Sequence, residues 1–177
     1  MLVLDNYIYR KRKSLSSADC QEIINNFNIS PYKKPNDRNY TLLVSSLRDY
    51  LNVNIALGES LEEYQSKHSF MQSLSYWRIS DKFHIQKYEP NEAYTGKNGK
   101  GEHMEHGRSE WDSKRLLGWM FYLNDCNGGT RWPQQRFTTK PREGDLYIWP
   151  AGWTHSHYGL PATKEKYILT GWCEFIS

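Results

Sequence analysis

Residues 82–88, with the sequence KFHIQKY, decide the fold class because apolar and polar side chains alternate along them. Phe83 and Ile85 point to one face of an extended chain, while His84 and Gln86 point to the other. This period of two is typical of a β-strand with one face on a core. More strands are predicted at 116–123, 136–139, 146–149 and 167–175, with turns at 127–129 and 142–145.

Upstream of residue 76 the apolar spacing is near 3.6 and indicates helices. The first helix has Ser16 as its N-cap with Asp19 three residues later, and it ends at Ser30. A second helical stretch is predicted around Leu43–Leu51 from its apolar face. A third is predicted to begin at Ser60, with Glu63 completing a capping box.

Helices followed by many short strands predict an α+β protein that is mainly β. We expect a single domain, with a helical layer at 1–75 and a β core at 76–177. The length of 177 residues suits one domain. Seven Trp, 13 Tyr and six Phe favour strands and pocket walls over a plain helix bundle.

Charge and cysteine usage narrow the class of protein. The net charge of +3 does not indicate a dedicated nucleic-acid binder, although nucleic acid is not excluded as a partner. Three widely spaced cysteines without a CxxC pair argue against a disulfide scaffold and a cysteine zinc site, so we expect a cytoplasmic location. No apolar run approaches the length of a membrane span, and no membrane association is expected.

Two short histidine clusters lie in the strand-rich half: His103-Met-Glu105-His106 and, about 50 residues later, His155-Ser-His157. On a strand, residues i and i+2 face the same side, so His103 and Glu105 can aim at one point. A distant histidine would complete two imidazoles and one carboxylate, which is the facial triad of non-haem Fe(II) sites. An H-x-E pair alone is weak evidence because it arises often by chance.

The motifs around these clusters add up to a resemblance. They are YLND at 122–125, GGTRWP at 128–133, PREGDLYIWP at 141–150, and a distal His157 followed by Pro161, Lys166 and Trp172. In this order, over roughly residues 83–175, the sequence resembles the Fe(II)- and 2-oxoglutarate-dependent dioxygenases of the prolyl 4-hydroxylase type. The resemblance implies a double-stranded β-helix (a distorted, cupin-like jelly roll), with the helical layer packed on one sheet.

Carried over by residue, the resemblance implies that His103, Glu105 and His157 ligate Fe(II). The implied reaction consumes O2 and 2-oxoglutarate, releases succinate and CO2, and hydroxylates an unactivated C–H bond. The substrate implied first is a prolyl or other amino-acid residue of a peptide or protein. The resemblance also implies L-ascorbic acid dependence.

The same resemblance implies a cosubstrate pocket. Lys166 would hold the distal carboxylate of 2-oxoglutarate, because a buried anion needs a cationic partner. Tyr122 would donate a hydrogen bond to that carboxylate, and Tyr88 would line the pocket. Thr170 shares the Lys166 face by the period of two, and Trp172 follows on it.

Several alternatives stay open. His155 rivals His157 as the distal ligand, and Glu105 stands where Asp is commoner. The loop at 89–102 is a lid candidate or an insertion without a role. Basic residues around the metal strand form a solvated rim or attract an acidic substrate: Lys97, Lys100, Arg108, Lys114 and Arg115.

The chemistry could also act on a nucleobase or a small molecule, or the chain could be a non-catalytic jelly-roll binding module.

Overall fold

A computed structural model describes residues 5–32, 34–36, 39–44, 50–94, 101–107, 109–110 and 112–176. Two α-helices lie in these ranges, α1 (Ser17–Ile29) and α2 (Leu51–Lys67). The strands are β1 (Tyr9–Lys11), β2 (Lys34–Asn36), β3 (Asn39–Val44), β4 (Trp77–Tyr88), β5 (Arg115–Tyr122), β6 (Thr130–Trp132), β7 (Phe137–Thr138), β8 (Leu146–Pro150), β9 (Tyr158–Gly159) and β10 (Lys166–Phe175). None of the described helices is both long enough and apolar enough to cross a membrane.

The strands form two antiparallel sheets. The larger has seven strands in the order β1-β8-β5-β10-β4-β3-β2, and the smaller has three in the order β7-β6-β9. Non-sequential neighbours such as β8, β5 and β10 arise because the chain crosses repeatedly between the sheets. This arrangement confirms the predicted mainly β architecture of double-stranded β-helix type.

The period-two pattern divides the large sheet into two faces. On β5, Leu117, Trp119 and Phe121 pack in the core beneath the helices, whereas Met120 and Tyr122 face the small sheet. On β4 the alternation is the predicted one: the buried Phe83 and Ile85 belong to the helix-side core, and the residues between them face the other way. The sheet therefore carries a helical layer on one face and a cavity on the other.

The first helix confirms its sequence signals. The Ser16 side chain accepts from the Asp19 backbone N–H, the Asp19 carboxylate accepts from Ser16, and Ser30 is the C-cap. The apolar stripe of Cys20, Ile23 and Phe27 is buried against the sheet. Capping and burial of one face together account for this helix.

The second and third predicted helices are wrong in position. Residues 39–44 form β3, which pairs with β4, while residues 45–49 lie outside the described ranges. The start of the predicted helix, at Leu43, is therefore strand, whereas its last residue, Leu51, is the first residue of α2. The next helix begins at Leu51, so Ser60 sits in its middle, buried, with its hydroxyl donating to the Ala56 carbonyl instead of capping.

Strands from the first 75 residues lie at both edges of the large sheet, with β1 at one edge and β2 at the other. The helical layer is therefore interleaved with strands that the sequence reading did not predict. The division of the chain at residue 76 stays a prediction. β6 and β9 are further unpredicted strands, because two- and three-residue strands are too short to show periodicity.

Candidate active site

A cavity of about 320 Å³ lies between the two sheets. All eight predicted site residues line it: Tyr88, His103, Glu105, Tyr122, His157, Lys166, Thr170 and Trp172. They come from β4, β5, β10 and two irregular segments, so the fold unites residues up to 84 positions apart in the chain.

One end of the cavity holds three candidate metal ligands. His103, Glu105 and His157 each offer one ligand atom, and these atoms lie within 4.8 Å of one another. The Glu105 Oε1 atom is 3.2 Å from His157 Nε2 and 3.7 Å from His103 Nε2. Adjacent ligands of a small divalent cation in octahedral geometry lie about 3 Å apart, so the donor set fits such an ion.

The backbone that brings the two histidines together is a single β-bridge instead of the expected strand. The His103 N–H donates to the His157 carbonyl at 2.9 Å, and the His157 N–H donates back at 2.8 Å. The chain then bends, and the Glu105 N–H donates to the Ala151 carbonyl at 3.1 Å. A bridge followed by a bend aims both side chains of the H-x-E pair at His157.

The imidazole orientations favour ligation through Nε2. His103 Nδ1 lies 2.7 Å from the Gly101 carbonyl, and His157 Nδ1 lies 2.9 Å from the His155 carbonyl. A carbonyl only accepts, so each Nδ1 carries a proton and donates it. In the neutral ring, Nε2 then presents its lone pair to the point that both rings face, which is the usual arrangement of metal-binding histidines.

His155 lies outside this cluster. Trp153–His155 is a turn of 3-10 helix, so His155 and His157 do not share a strand face. The His155 ring is buried, with Nε2 bonded to the Asn6 carbonyl and Nδ1 beside the Thr154 hydroxyl. The structure therefore distinguishes His157 from His155, which the sequence leaves as rivals. His155 contacts the site through its backbone carbonyl, which accepts from His157 Nδ1.

Glu105 is 8% exposed, and its two carboxylate oxygens have different partners. Oε1 faces the histidines, whereas Oε2 accepts from the Trp172 indole N–H at 2.7 Å. Burial opposes ionisation of Glu105, but the electrostatic influence of the neighbouring His157 and His103 and the hydrogen bond from Trp172 outweigh it. The pKa of the Glu105 carboxyl consequently lies well below its usual range.

The opposite side of the cavity carries the Lys166 ammonium. Lys166 is 3% exposed, donates to the Leu160 carbonyl at 3.1 Å, and lies 4.7 Å from the Tyr88 ring centre. No carboxylate in the described part of the chain forms an ion pair with it. Burial lowers the Lys166 pKa to about 8. An anionic group in the cavity would supply the missing partner.

Tyr122 lines the same cavity as Lys166, and its hydroxyl is held by two threonines that were not among the predicted site residues. Its hydroxyl lies 2.9 Å from Thr130 Oγ1 and 2.7 Å from Thr139 Oγ1. The turn of the GGT motif makes this close approach feasible, because a Cβ on Gly129 would collide with the Thr139 carbonyl. Thr130 also lines the cavity and is a further polar group near Lys166.

Aromatic rings pack around the histidines. Trp132 and Trp149 contact the His157 ring at centroid distances of 5.3 and 5.1 Å, and Tyr94 meets His103 edge-on at 4.8 Å. Trp132 and Trp149 are buried, as expected for core and pocket walls. Tyr94 carried no sequence signal because it lies in an irregular segment.

Arg115 corrects the expectation of a solvated basic rim. Its guanidinium is half-buried against the Trp172 ring, lines the cavity, and bonds Asp112 at 2.9 Å. Lys114 is exposed, as expected for a rim. Lys97, Lys100 and Arg108 lie outside the described residues, as does part of the 89–102 loop, so the lid stays a prediction.

Comparison with known proteins identifies the family. The profile of the 2OG-Fe(II) oxygenase superfamily matches residues 83–174. A comparison with curated protein sequences finds no significant match.

Several solved structures share the fold. A viral collagen prolyl hydroxylase from Paramecium bursaria Chlorella virus-1, in complex with 2OG, is similar at a TM-score of 0.75 and 17% identity, covering 97% of each chain. A Pseudomonas putida prolyl-4-hydroxylase gives 0.69 at 17% identity, over 96% of this chain and 93% of its own. A Trichoplax adhaerens prolyl hydroxylase, in complex with a hypoxia inducible factor peptide fragment, gives 0.66 at 15% identity, over 96% and 84%.

The family match spans every predicted site residue, and the fold agrees over nearly the whole chain. Members of this family use Fe(II), 2-oxoglutarate and O2, which suits the His-Glu-His cluster. The chain belongs to the 2OG-Fe(II) oxygenase superfamily and is a 2-oxoglutarate-dependent dioxygenase with the prolyl 4-hydroxylase fold.

Proposed function

We propose that the protein hydroxylates a prolyl or other amino-acid residue in a peptide, with Fe(II) held by His103, Glu105 and His157. The observation that carries this proposal is the pairing of two sites in one cavity. Three ligand atoms converge at one end, and a buried ammonium without a carboxylate partner among the described residues stands at the other. A binding module without chemistry would need neither feature.

Lys166 binds the distal carboxylate of 2-oxoglutarate in this proposal. Its charge is isolated from water, so a carboxylate there forms a charge-assisted hydrogen bond in a low-dielectric site. Tyr122 donates to the same carboxylate from its place between Thr130 and Thr139. Tyr88, whose ring lies beneath the ammonium, closes that side of the pocket.

Bound Fe(II) would supply the oxidising chemistry, in which O2 gives one oxygen atom to 2-oxoglutarate, forming succinate and CO2, and the other to the substrate C–H bond. The chain supplies orientation and exclusion of water. Nδ1 hydrogen bonds fix both histidine rings, and the apolar side chains of Met120, Trp149 and Ile168 line the cavity. Thr170 is held by the Trp119 carbonyl at 2.8 Å, with its side chain on the cavity face.

The peptide substrate is supported by the solved neighbours, of which the Trichoplax enzyme is bound to a peptide fragment. The metal site does not select among peptides, nucleobases and small molecules, so the substrate is tested directly. A cytoplasmic location, supported by three free cysteines, and ascorbate dependence belong to this proposal as well.

The test incubates the protein with Fe(II), 2-oxoglutarate and ascorbate and measures succinate. Proline-containing peptides are compared with the same peptides carrying alanine, with nucleosides and with free proline. Succinate release matched by addition of one oxygen atom to the proline peptide supports the proposal, and His103→Ala should abolish both. Turnover confined to nucleosides or free amino acids would refute the peptide substrate while retaining the enzyme class.

A further inference from the structure

The carboxylate ligand of this site is a glutamate, which has one more rotatable bond than aspartate. A carboxylate can bind a metal through one oxygen or through both. A facial triad needs single-oxygen binding, because the cosubstrate and O2 occupy the remaining coordination positions. The contacts of Glu105 determine whether its carboxylate can bind a metal through one oxygen or through both.

Trp172 forms a hydrogen bond with one of the two carboxylate oxygens of Glu105. Its indole N–H donates to Glu105 Oε2 at 2.7 Å, while Oε1 is the oxygen nearest both histidines. An indole N–H only donates, so it pairs with an ionised carboxylate oxygen as a charge-assisted hydrogen bond. Oε2 is thus directed away from the shared focus of the two imidazole rings.

Arg115 holds Trp172 and the Glu105 backbone together. The guanidinium carbon lies 3.6 Å from the Trp172 ring centre, a close cation–π contact. The same group donates to the Glu105 carbonyl at 3.1 Å and is anchored by the Asp112 carboxylate at 2.9 Å. The His84 ring packs perpendicular to the indole, at a distance of 5.4 Å between the ring centroids. The ring is therefore fixed by charge and packing.

We infer that Trp172 and Arg115 are positioning residues. They keep Glu105 Oε2 engaged in a hydrogen bond, so that the longer glutamate binds the metal through Oε1 alone. This inference rests on the proposed Fe(II) site. Trp172 acts on the ligand through its N–H. Arg115 acts through the indole, through the Glu105 main chain and through an ion pair of its guanidinium with Glu105 Oε2 at 3.7 Å, on the same oxygen that the indole holds. The role is separate from any contact of Trp172 with the cosubstrate.

The test measures Fe(II) affinity anaerobically, by competition with a chelating dye, in a double-mutant cycle. Trp172→Phe keeps a ring for Arg115 but removes the N–H, and should weaken Fe(II) binding by about 10- to 100-fold. In the Glu105→Asp background, where the carboxylate is too short to use the indole, the same change should cost less than about threefold. Trp153→Phe, at a 70% exposed tryptophan, is the matched control.

The outcomes separate the two claims. If the wild-type protein binds no Fe(II), the proposed function fails and the inference with it. The inference is overturned if the wild type binds Fe(II) but Trp172→Phe leaves the Fe(II) affinity unchanged, or lowers it equally in the wild-type and Glu105→Asp backgrounds. Trp172 is then only structural. If Trp172→Phe does not fold, Arg115→Lys tests the same contact: it keeps the charge but loses the planar stacking, and should weaken Fe(II) binding at least threefold.

Discussion

Lys166→Met should make the protein more stable and, at the same time, a poorer enzyme. The ammonium is buried, with only the Leu160 carbonyl as its hydrogen-bond acceptor among the described residues. A pKa that falls from 10.5 to about 8 on folding corresponds to about 3 kcal/mol against the charged folded state. Methionine fills a similar volume without the charge, but it forfeits the hydrogen bond, worth about 1 kcal/mol. The net gain expected at pH 7 is about 2 kcal/mol.

The sign of the pH dependence follows from the same pKa. The unfolded chain holds this proton more tightly, so the cost is fully present below about pH 8. It disappears as the pH rises toward 10.5, and the free energy of unfolding of the wild type rises over that interval. Lys166→Met should lack this rise, so its advantage should vanish near pH 10.5.

The assay is urea unfolding of the wild type, Lys166→Met and Lys164→Met at pH 7 and pH 10.5, with 2-oxoglutarate titrated calorimetrically into the Fe(II)-loaded proteins. The exposed Lys164, two residues away, controls for loss of a lysine. Lys166→Met should weaken 2-oxoglutarate binding by about 100-fold or more, since breaking a buried ion pair costs at least 3 kcal/mol. Equal or lower stability at pH 7, or unchanged affinity, would refute the reasoning.

Three further outcomes are expected. His157→Ala should abolish Fe(II) binding, whereas His155→Ala should retain it within about threefold in the dye competition; the reverse pattern would overturn the ligand assignment. Tyr122→Phe should raise the KM for 2-oxoglutarate by up to about tenfold, since it removes one hydrogen-bond donor, and an unchanged KM would remove Tyr122 from the cosubstrate site. Gly129→Ala should lower the free energy of unfolding by about 2 kcal/mol or more because its Cβ meets backbone. Gly58→Ala in α2, where the Cβ meets nothing within 4 Å, should raise it by up to about 1 kcal/mol, and equal effects in a urea titration would contradict the steric argument.

The period of two in β4, β5 and β10 made the site readable from the sequence. Once Lys166 is placed on a cavity-facing position, Thr170 and Trp172 follow, and the structure puts all three in the cavity. The other site residues follow from the ordered motifs, because the spacing of residues along antiparallel strands is kept between proteins of low sequence identity. Predictions that depend on alternation within β4, β5 and β10 therefore agree with the structure, whereas His103 and Glu105 converge through a β-bridge and a bend instead of a regular strand.

Predictions that depended on non-local contacts failed. β3 is not predicted, and its end at Leu43–Val44 falls in the predicted second helix, because pairing with β4 joins residues 39 to 49 positions apart and leaves no local sequence signal. His155 and His157 stayed unresolved because a turn of 3-10 helix ends between them, and a regular strand was the only available assumption. The partnership of Arg115 with Trp172 joins residues 57 positions apart, so composition suggested only a basic rim.

The most direct measurement is the visible absorption spectrum after anaerobic addition of Fe(II) and 2-oxoglutarate to the purified protein. We expect a weak metal-to-ligand charge-transfer band, present in the wild type and in His155→Ala. The band should be absent in His157→Ala, because the keto acid chelates iron only when the two imidazoles and Glu105 hold it. A folded wild-type protein with excess Fe(II) that gives no band would contradict the proposed metal centre.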